Sequence, residues 1–198
     1  FSLTGLGIRN SDEEPAWFDE IYLARTQADF NWIDEVADTR KVAPDDNPNL
    51  LASTLKKHRY GQIVSQVAPQ FTTMLVGEPL QLLAEFQGRK KVLRTMPPSK
   101  DQPCVLKTPI SVRPKKKTIL KISASHHPDA DWQLIARAAD QELLRTVVDK
   151  TTATDGWLDR DVDLSRFAGK NIVVEVLNEA TGWNHEQAFW HRLEIVEE

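Results

Sequence analysis

The 198-residue chain has a single cysteine, Cys104, so it can form no disulfide of its own. That neither requires nor excludes an oxidising compartment. Near a strand start, Cys104 reads as a small buried hydrophobe. Tyrosine is scarce at two residues, whereas tryptophan reaches six. Trp joins a large apolar face to one N–H donor, which suits sandwich cores as well as surfaces for sugars or partners. No run approaches the roughly 20 apolar residues of a membrane span, and no membrane partner is expected. Excess positive charge is also missing. The formal net charge is −4, so the chain as a whole is not built to attract phosphate backbones, and no nucleic-acid partner is expected. The clusters Arg89-Lys90-Lys91 and Lys115-Lys116-Lys117 read as solvated faces, since edge Lys residues also oppose strand-to-strand aggregation. The chain opens at Phe1 without Met or signal peptide and reads as a fragment or processed product.

Catalytic signatures are absent as well. There is no G-x-S-x-G, no phosphate loop and no Cys/His metal cluster in the sequence. A hydrolase would need two converging carboxylates or a nucleophile with its base. Asp159, Asp161 and Asp163 alternate along one strand and read more simply as a solvent face. The chain is therefore not expected to be an enzyme.

What is present is a succession of short strands. The stretch Gly156–Asn178 is the clearest part. Val162 and Leu164 point one way and Asp161 and Asp163 the other, a period of two. The connection Ser165-Arg166-Phe167-Ala168-Gly169-Lys170 follows, with Gly169 placed to take a positive φ. Ile172, Val174 and Val176 then share a face. This unit reads as an antiparallel pair closed by a tight loop. Upstream, Leu80, Leu82, Ala84 and Phe86 share a face, Val92-Leu93-Arg94 forms a short strand, and the Pro-rich turn 96–103 follows. Leu106, Ile110 and Val112 come next, with Pro109 arguing for an edge position. Leu120, Ile122 and Ala124 form another strand, then Trp132, Leu134, Ala136 and Ala138, then Leu143 to Val148. In the last strand Phe189, His191, Leu193 and Ile195 lie on one face and Trp190, Arg192 and Glu194 on the other. Turn signals between strands every 8–15 residues predict an all-β antiparallel sandwich or jelly roll over 70–198. Residues 1–69 read as an N-terminal extension of strands (1–25), a polar linker and short helix: Leu50 to about Tyr60, then Gln62 to Ala68, stopping before Pro69.

Parity groups the connections. If successive strands alternate in direction, loops 126–131, 149–156 and 179–188 share one end, and turns 114–117, 140–141 and 165–171 the other. The first end is longer and carries His126, His127, Asp129, Asp131, Asp155, Trp183, Asn184, His185 and Glu186. Binding residues concentrate on long loops held by a rigid scaffold, so this end is the place for a site.

From Leu93 onward, several features carry a resemblance. They are the Pro-rich turn after a short strand, Asp131-Trp132-Gln133-Leu134 opening a strand, the run from Trp157 through Val162-Asp163-Leu164-Ser165 to Phe167-Ala168-Gly169-Lys170, and the closing Trp190 strand. Together they resemble the galactose-binding-domain-like jelly rolls of many carbohydrate-binding modules, over roughly residues 70–198. The resemblance implies a non-catalytic accessory module of a larger extracytoplasmic, secreted bacterial protein. Such a module binds an oligo- or polysaccharide through loops at one end. By analogy with related modules it also implies a structural calcium, with Glu85 and Glu194 as candidate ligands. The alternative is a structural or protein-interaction sandwich whose partner is a neighbouring domain. Residues 17–23 also resemble the closing strand 189–195.

A sugar site needs an aromatic ring to stack on pyranose C–H groups and amides, acids or imidazoles to bond hydroxyls. Trp183, Asn184, His185 and Glu186 supply both, with His126 and Asp131 as further hydrogen-bonding candidates. Against this, Trp183 also reads as a cap folded back over the sandwich end. Trp132 and Trp157 read as core residues, and Trp190 as packed. The His126–Asp131 loop matches no metal motif and reads as a polar turn.

Overall fold

The structure, a computed structural model, describes residues 60–198. The strands expected within 1–25 and the helix expected from Leu50 lie outside the described residues, apart from Tyr60. Among these residues ten strands form: β1 (Thr72–Leu75), β2 (Gln81–Phe86), β3 (Arg89–Thr95), β4 (Cys104–Ser111), β5 (Thr118–His126), β6 (Trp132–Ala138), β7 (Gln141–Val148), β8 (Leu158–Asp163), β9 (Asn171–Glu179) and β10 (Ala188–Glu197). They make two five-stranded antiparallel sheets, ordered β1-β4-β9-β6-β7 and β2-β3-β10-β5-β8. This is the antiparallel β-sandwich that the turn spacing predicts.

The inward-facing rows follow the period-two pattern. Leu106, Ala136 and Val176 lie in register across the first sheet, and Leu120, Ile122, Ala124, Leu158 and Val162 face them from the second. Trp132 and Trp190 meet at the centre, ring centroids 5.0 Å apart, and both are fully buried. Each satisfies its indole N–H: Trp132 Nε1 donates to the Ser125 carbonyl and Trp190 Nε1 to Thr95 Oγ1. Residues 60–65 are helical, and Val64, Ala68 and Phe71 enter the same core. Cys104 is buried beside it, and burial pushes its thiol pKa up to about 12 against a hydrogen bond with Thr95, so it is an inert thiol.

Four expectations are corrected. β8 and β9 do not pair, because they belong to opposite sheets. The connection between them carries a 3₁₀ turn at Ser165–Phe167, and Leu164 and Phe167 are buried in the core as the chain crosses. Gly169 does take a positive φ, +81°, but it turns the chain between sheets. Second, the packed side chains of β2 are Leu83 and Phe86, whereas Leu82 is 39% exposed. Third, the alternation in β10 is broken. A register shift between Trp190 and Arg192 sends Trp190 and Leu193, three apart, to the same core; a bulge inserts one residue and re-aims the side chains. Fourth, Pro109 is not on an outermost strand: β4 lies between β1 and β9, but β1 pairs with it only as far as Lys107. Beyond that point Pro109 faces a locally open edge, where a missing N–H costs nothing.

The β2–β3 hairpin closes through Gln87 and Gly88, both at positive φ. Its tip folds back over the outer side of its own sheet. Phe86 stacks on Phe189 with centroids 3.8 Å apart. Gln87 O accepts from Trp157 Nε1, and Arg89 forks onto Asp159 while also bonding Ser123. Trp157 is thus buried, as expected, but in this second small cluster with Val92 and Phe189.

Candidate functional site

The long loops gather at one end of the sandwich, as alternating strand direction predicts. Ala188 pairs with His126, Trp132 with Val148, and Gln133 with Glu179. The connections after β5, β7 and β9 therefore emerge together. Two further connections join them, 76–80 and 96–103, tied by Gly77 N–H to the Met96 carbonyl.

The loop 180–187 is organised from beneath by Glu186, only 2% exposed. Its carboxylate accepts the backbone N–H groups of Thr181 (3.0 Å), Gly182 (3.1 Å) and Asn184 (3.2 Å). Three backbone donors closing on one carboxylate fix the loop as a charge-assisted knot. The Glu186 carbonyl in turn accepts from Asn178 Nδ2. Glu186 is thus brought to the expected site, but its acceptor capacity holds the loop.

Trp183 lies inside this knot, between two of the bonded residues, and its side chain points outward. It is 50% exposed, so it does not cap the sandwich. Leaving half of such a ring in water forgoes roughly 100 Å² of apolar burial, about 2.5 kcal/mol at 25 cal/mol/Å².

The neighbouring loop, 127–131, is pinned by His126. Its Nδ1 lies 2.6 Å from the His127 carbonyl and 2.9 Å from the Ala130 carbonyl. Carbonyls only accept, so Nδ1 carries the proton. The ring is 4% exposed; His126 builds the loop from within. Asp131 accepts a hydrogen bond from Thr181 Oγ1, joining the two loops. His127 and His185 stack, ring centroids 4.3 Å apart and 13° from parallel, with His185 at φ +59°.

Between the two loops lies an open polar depression of about 350 Å³, lined by Asp129, Ala130, Asp131, Thr181, Gly182, Asn184 and Glu186. Of the expected residues, Asp131, Asn184 and Glu186 line it; Trp183, exposed, sits in the chain between the lining residues Gly182 and Asn184, His185 stacks on His127, and His126 is buried at the root of the 127–131 loop. Thr181 is the residue that sequence reasoning missed. Nothing in its local pattern marks it, because its partners Asp131 and Glu186 come from two different loops.

The third long loop is self-contained. Asp149 accepts from the N–H and hydroxyl groups of Thr151 and Thr152. Partial burial works to raise its pKa, but these hydrogen bonds outweigh it and leave the carboxyl below its ordinary value.

For calcium, several oxygen ligands must converge. Among the described residues, no group of three or more His, Cys, Asp or Glu is placed to hold a metal ion. Glu85 is exposed on β2, opposite Lys90, and the Glu194 carboxylate is engaged by Arg192. As placed, the two do not form an oxygen cage.

No protein-family model and no curated protein matches the chain. Solved structures similar to it include carbohydrate-binding modules and cyclases. The CBM22-1 xylan-binding domain of Xyn10C from Paenibacillus barcinonensis is 12% identical, with 68% of this chain and 90% of that one covered and a TM-score of 0.46. The CBM35 of Abf62 from Cellvibrio japonicus is 14% identical, covering 63% of this chain and 86% of that one, with a TM-score of 0.41. The Stig cyclase Fisc from Fischerella sp. TAU is 10% identical, covering 65% and 74%, with a TM-score of 0.42. Likeness at this level carries nothing about a ligand.

Proposed function

We propose that this domain is a non-catalytic carbohydrate-binding module that takes its ligand end-on, at the loops 127–131 and 180–187. The observation that carries the reading is Trp183: a half-exposed indole on a loop fixed by three backbone hydrogen bonds to one buried carboxylate. A rigid exposed ring is already ordered before binding, so little entropy is lost when a sugar stacks on it. Asn184 and Asp131 beside it supply amide and carboxylate groups for hydroxyls. The hairpin tip over Phe189 and Trp157 occupies the central outer face of the second sheet, which favours the end over that face. The sequence resemblance to galactose-binding-like modules adds an extracytoplasmic, multidomain setting to the proposal.

The test is isothermal titration and Trp emission against a panel of neutral and acidic polysaccharides, on the wild type and Trp183→Ala. The expected result is saturable binding that weakens by about 1–3 kcal/mol in the variant, roughly five- to 150-fold, with unchanged thermal stability. If no polysaccharide binds the wild type, or Trp183→Ala binds equally well, the reading fails. The exposed indole would then fit a contact with a neighbouring domain.

A further inference from the structure

The end of the sandwich opposite the loop site gathers charge of one sign. Ser111 pairs with Asn171, Thr118 with Glu197 and Ile119 with Asp163, so the connections 112–117 and 164–170 emerge there together. Backbone hydrogen bonds lay the two side by side. Gly169 N–H donates to the Val112 carbonyl at 2.7 Å, Val112 N–H to the Lys170 carbonyl at 2.9 Å and Leu164 N–H to the Thr118 carbonyl at 2.9 Å. Arg166 and Lys170 thereby join Arg113, Lys115, Lys116 and Lys117, and all six are exposed. The Asp163 carboxyl is held below its ordinary pKa first by hydrogen bonds with Ser165, and the charges of Lys117 and Arg166 lower it further, so both cations lie near it. Little else neutralises the group. Glu197 pairs with Arg113 at 3.4 Å and Glu198 with Lys121 at 3.7 Å. Lys115, Lys116, Lys117, Arg166 and Lys170 make no ion pair among the described residues. The turn 112–117 joins β4 to β5, interior strands of opposite sheets, so guarding an outermost strand is not what its lysines do. Five like charges on two adjoining turns repel one another and do not serve the fold.

We propose that this basic end is a second binding surface, for a linear acidic polysaccharide carrying carboxylate or sulfate groups. The chemistry separates that partner from other polyanions. Among the described residues the large apolar side chains left exposed are Leu75, Leu82 and Trp183, and none belongs to this end. It therefore offers no ring for nucleic-acid bases to stack on and no wedge to enter a bilayer. Its one helical turn, Ser165–Phe167, is too short to read a DNA groove. Lysine ammonium groups on turns act as point charges without a fixed fork, which suits anionic groups spaced along a flexible chain. The depression at the far end is lined by Asp129, Asp131 and Glu186 with no Lys or Arg, so it repels the same polymer and steers it to the basic end. The proposal does not depend on the loop site.

The test uses the full chain and two polymers, polygalacturonate and dextran sulfate, titrated calorimetrically at low salt and again at about 0.3 M, where screening is strong. Saturable binding that fades with salt is expected. The triple variant Lys115→Glu, Lys116→Glu, Lys170→Glu should bind about tenfold more weakly or worse at low salt, with no loss in its urea midpoint. Trp183→Ala should bind both polymers as tightly as wild type. No binding to either polymer at low salt, salt-independent binding, or equal binding by the triple variant would overturn the proposal. So would equal affinity for duplex DNA or phosphatidylserine vesicles at matched charge, because the patch would then accept any anionic surface. Binding lost in Trp183→Ala but kept in the triple variant would move the acidic polymer to the loop end, which sinks this proposal and supports the loop-site reading; the two therefore fail separately.

Discussion

At the scale of the residue, Glu186 and Trp183 divide the site between them. The sequence places them three apart in one loop and offers both as ligand groups. The fold buries one and exposes the other. Glu186 accepts three backbone N–H groups, so replacing its carboxylate by an amide turns one acceptor oxygen into a donor that faces donors. Glu186→Gln is expected to cost about 1–3 kcal/mol of unfolding free energy, measured by urea denaturation. The anisotropy of Trp183 emission should fall as the loop loosens, read with Trp183→Phe as the subtraction control. An unchanged urea midpoint would mean that the knot contributes little and that the loop is held by its neighbours.

At the scale of the element, the β2–β3 hairpin is held onto its own sheet by the Arg89–Asp159 ion pair, the Phe86–Phe189 stack and the hydrogen bond from Trp157 Nε1 to the Gln87 carbonyl. Arg89 forks onto Asp159 at 3.0 and 3.2 Å, and its guanidinium lies 4.6 Å from the Trp157 ring centre. The Arg89 hydrogen bond holds the Asp159 carboxyl below its ordinary pKa, partial desolvation opposes this, and Ser123 adds to the lowering. A depressed folded-state pKa contributes stability above the ordinary carboxylate value of about 3.9, and that contribution is lost as pH falls through the lower folded value. Because Asp159 is largely exposed, solvent screening limits the pair to about 0.5 kcal/mol. Asp159→Asn should therefore be less stable than wild type near pH 6 and converge with it as the pH drops below 4. Urea midpoints across that range measure the difference, and a gap independent of pH would remove the ion pair from the account.

At the scale of the molecule, the two sheets close on a pair of tryptophans whose N–H groups are both satisfied internally. Trp190→Ala is expected to cost about 3–5 kcal/mol, as a large buried aromatic lost from a packed core. Trp183→Ala, on the surface, should stay within about 0.5 kcal/mol of wild type. Paired urea titrations of the two variants test this assignment of core and rim. Comparable losses in both would mean that Trp183 is part of the packing.

Much of this architecture was legible before folding. Alternation identified the strands from 104 to 179 and their inward residues, because a side chain's face follows from its place in the pleat, a local property. Strand parity also gathered the loops after β5, β7 and β9 at one end. Other features were not legible. β8 and β9 read as a hairpin but sit in opposite sheets, since backbone N–H and C=O groups are alike at every residue and do not name their partner. The bulge after Trp190 leaves no mark in the local pattern, and the fold-back of the β2–β3 tip depends on side chains far away in the chain, Trp157 with Asp159. Whether Trp183 covered the core or faced water was likewise open in the chain alone. It was decided by Glu186, whose carboxylate draws the loop backbone inward and leaves the indole outside.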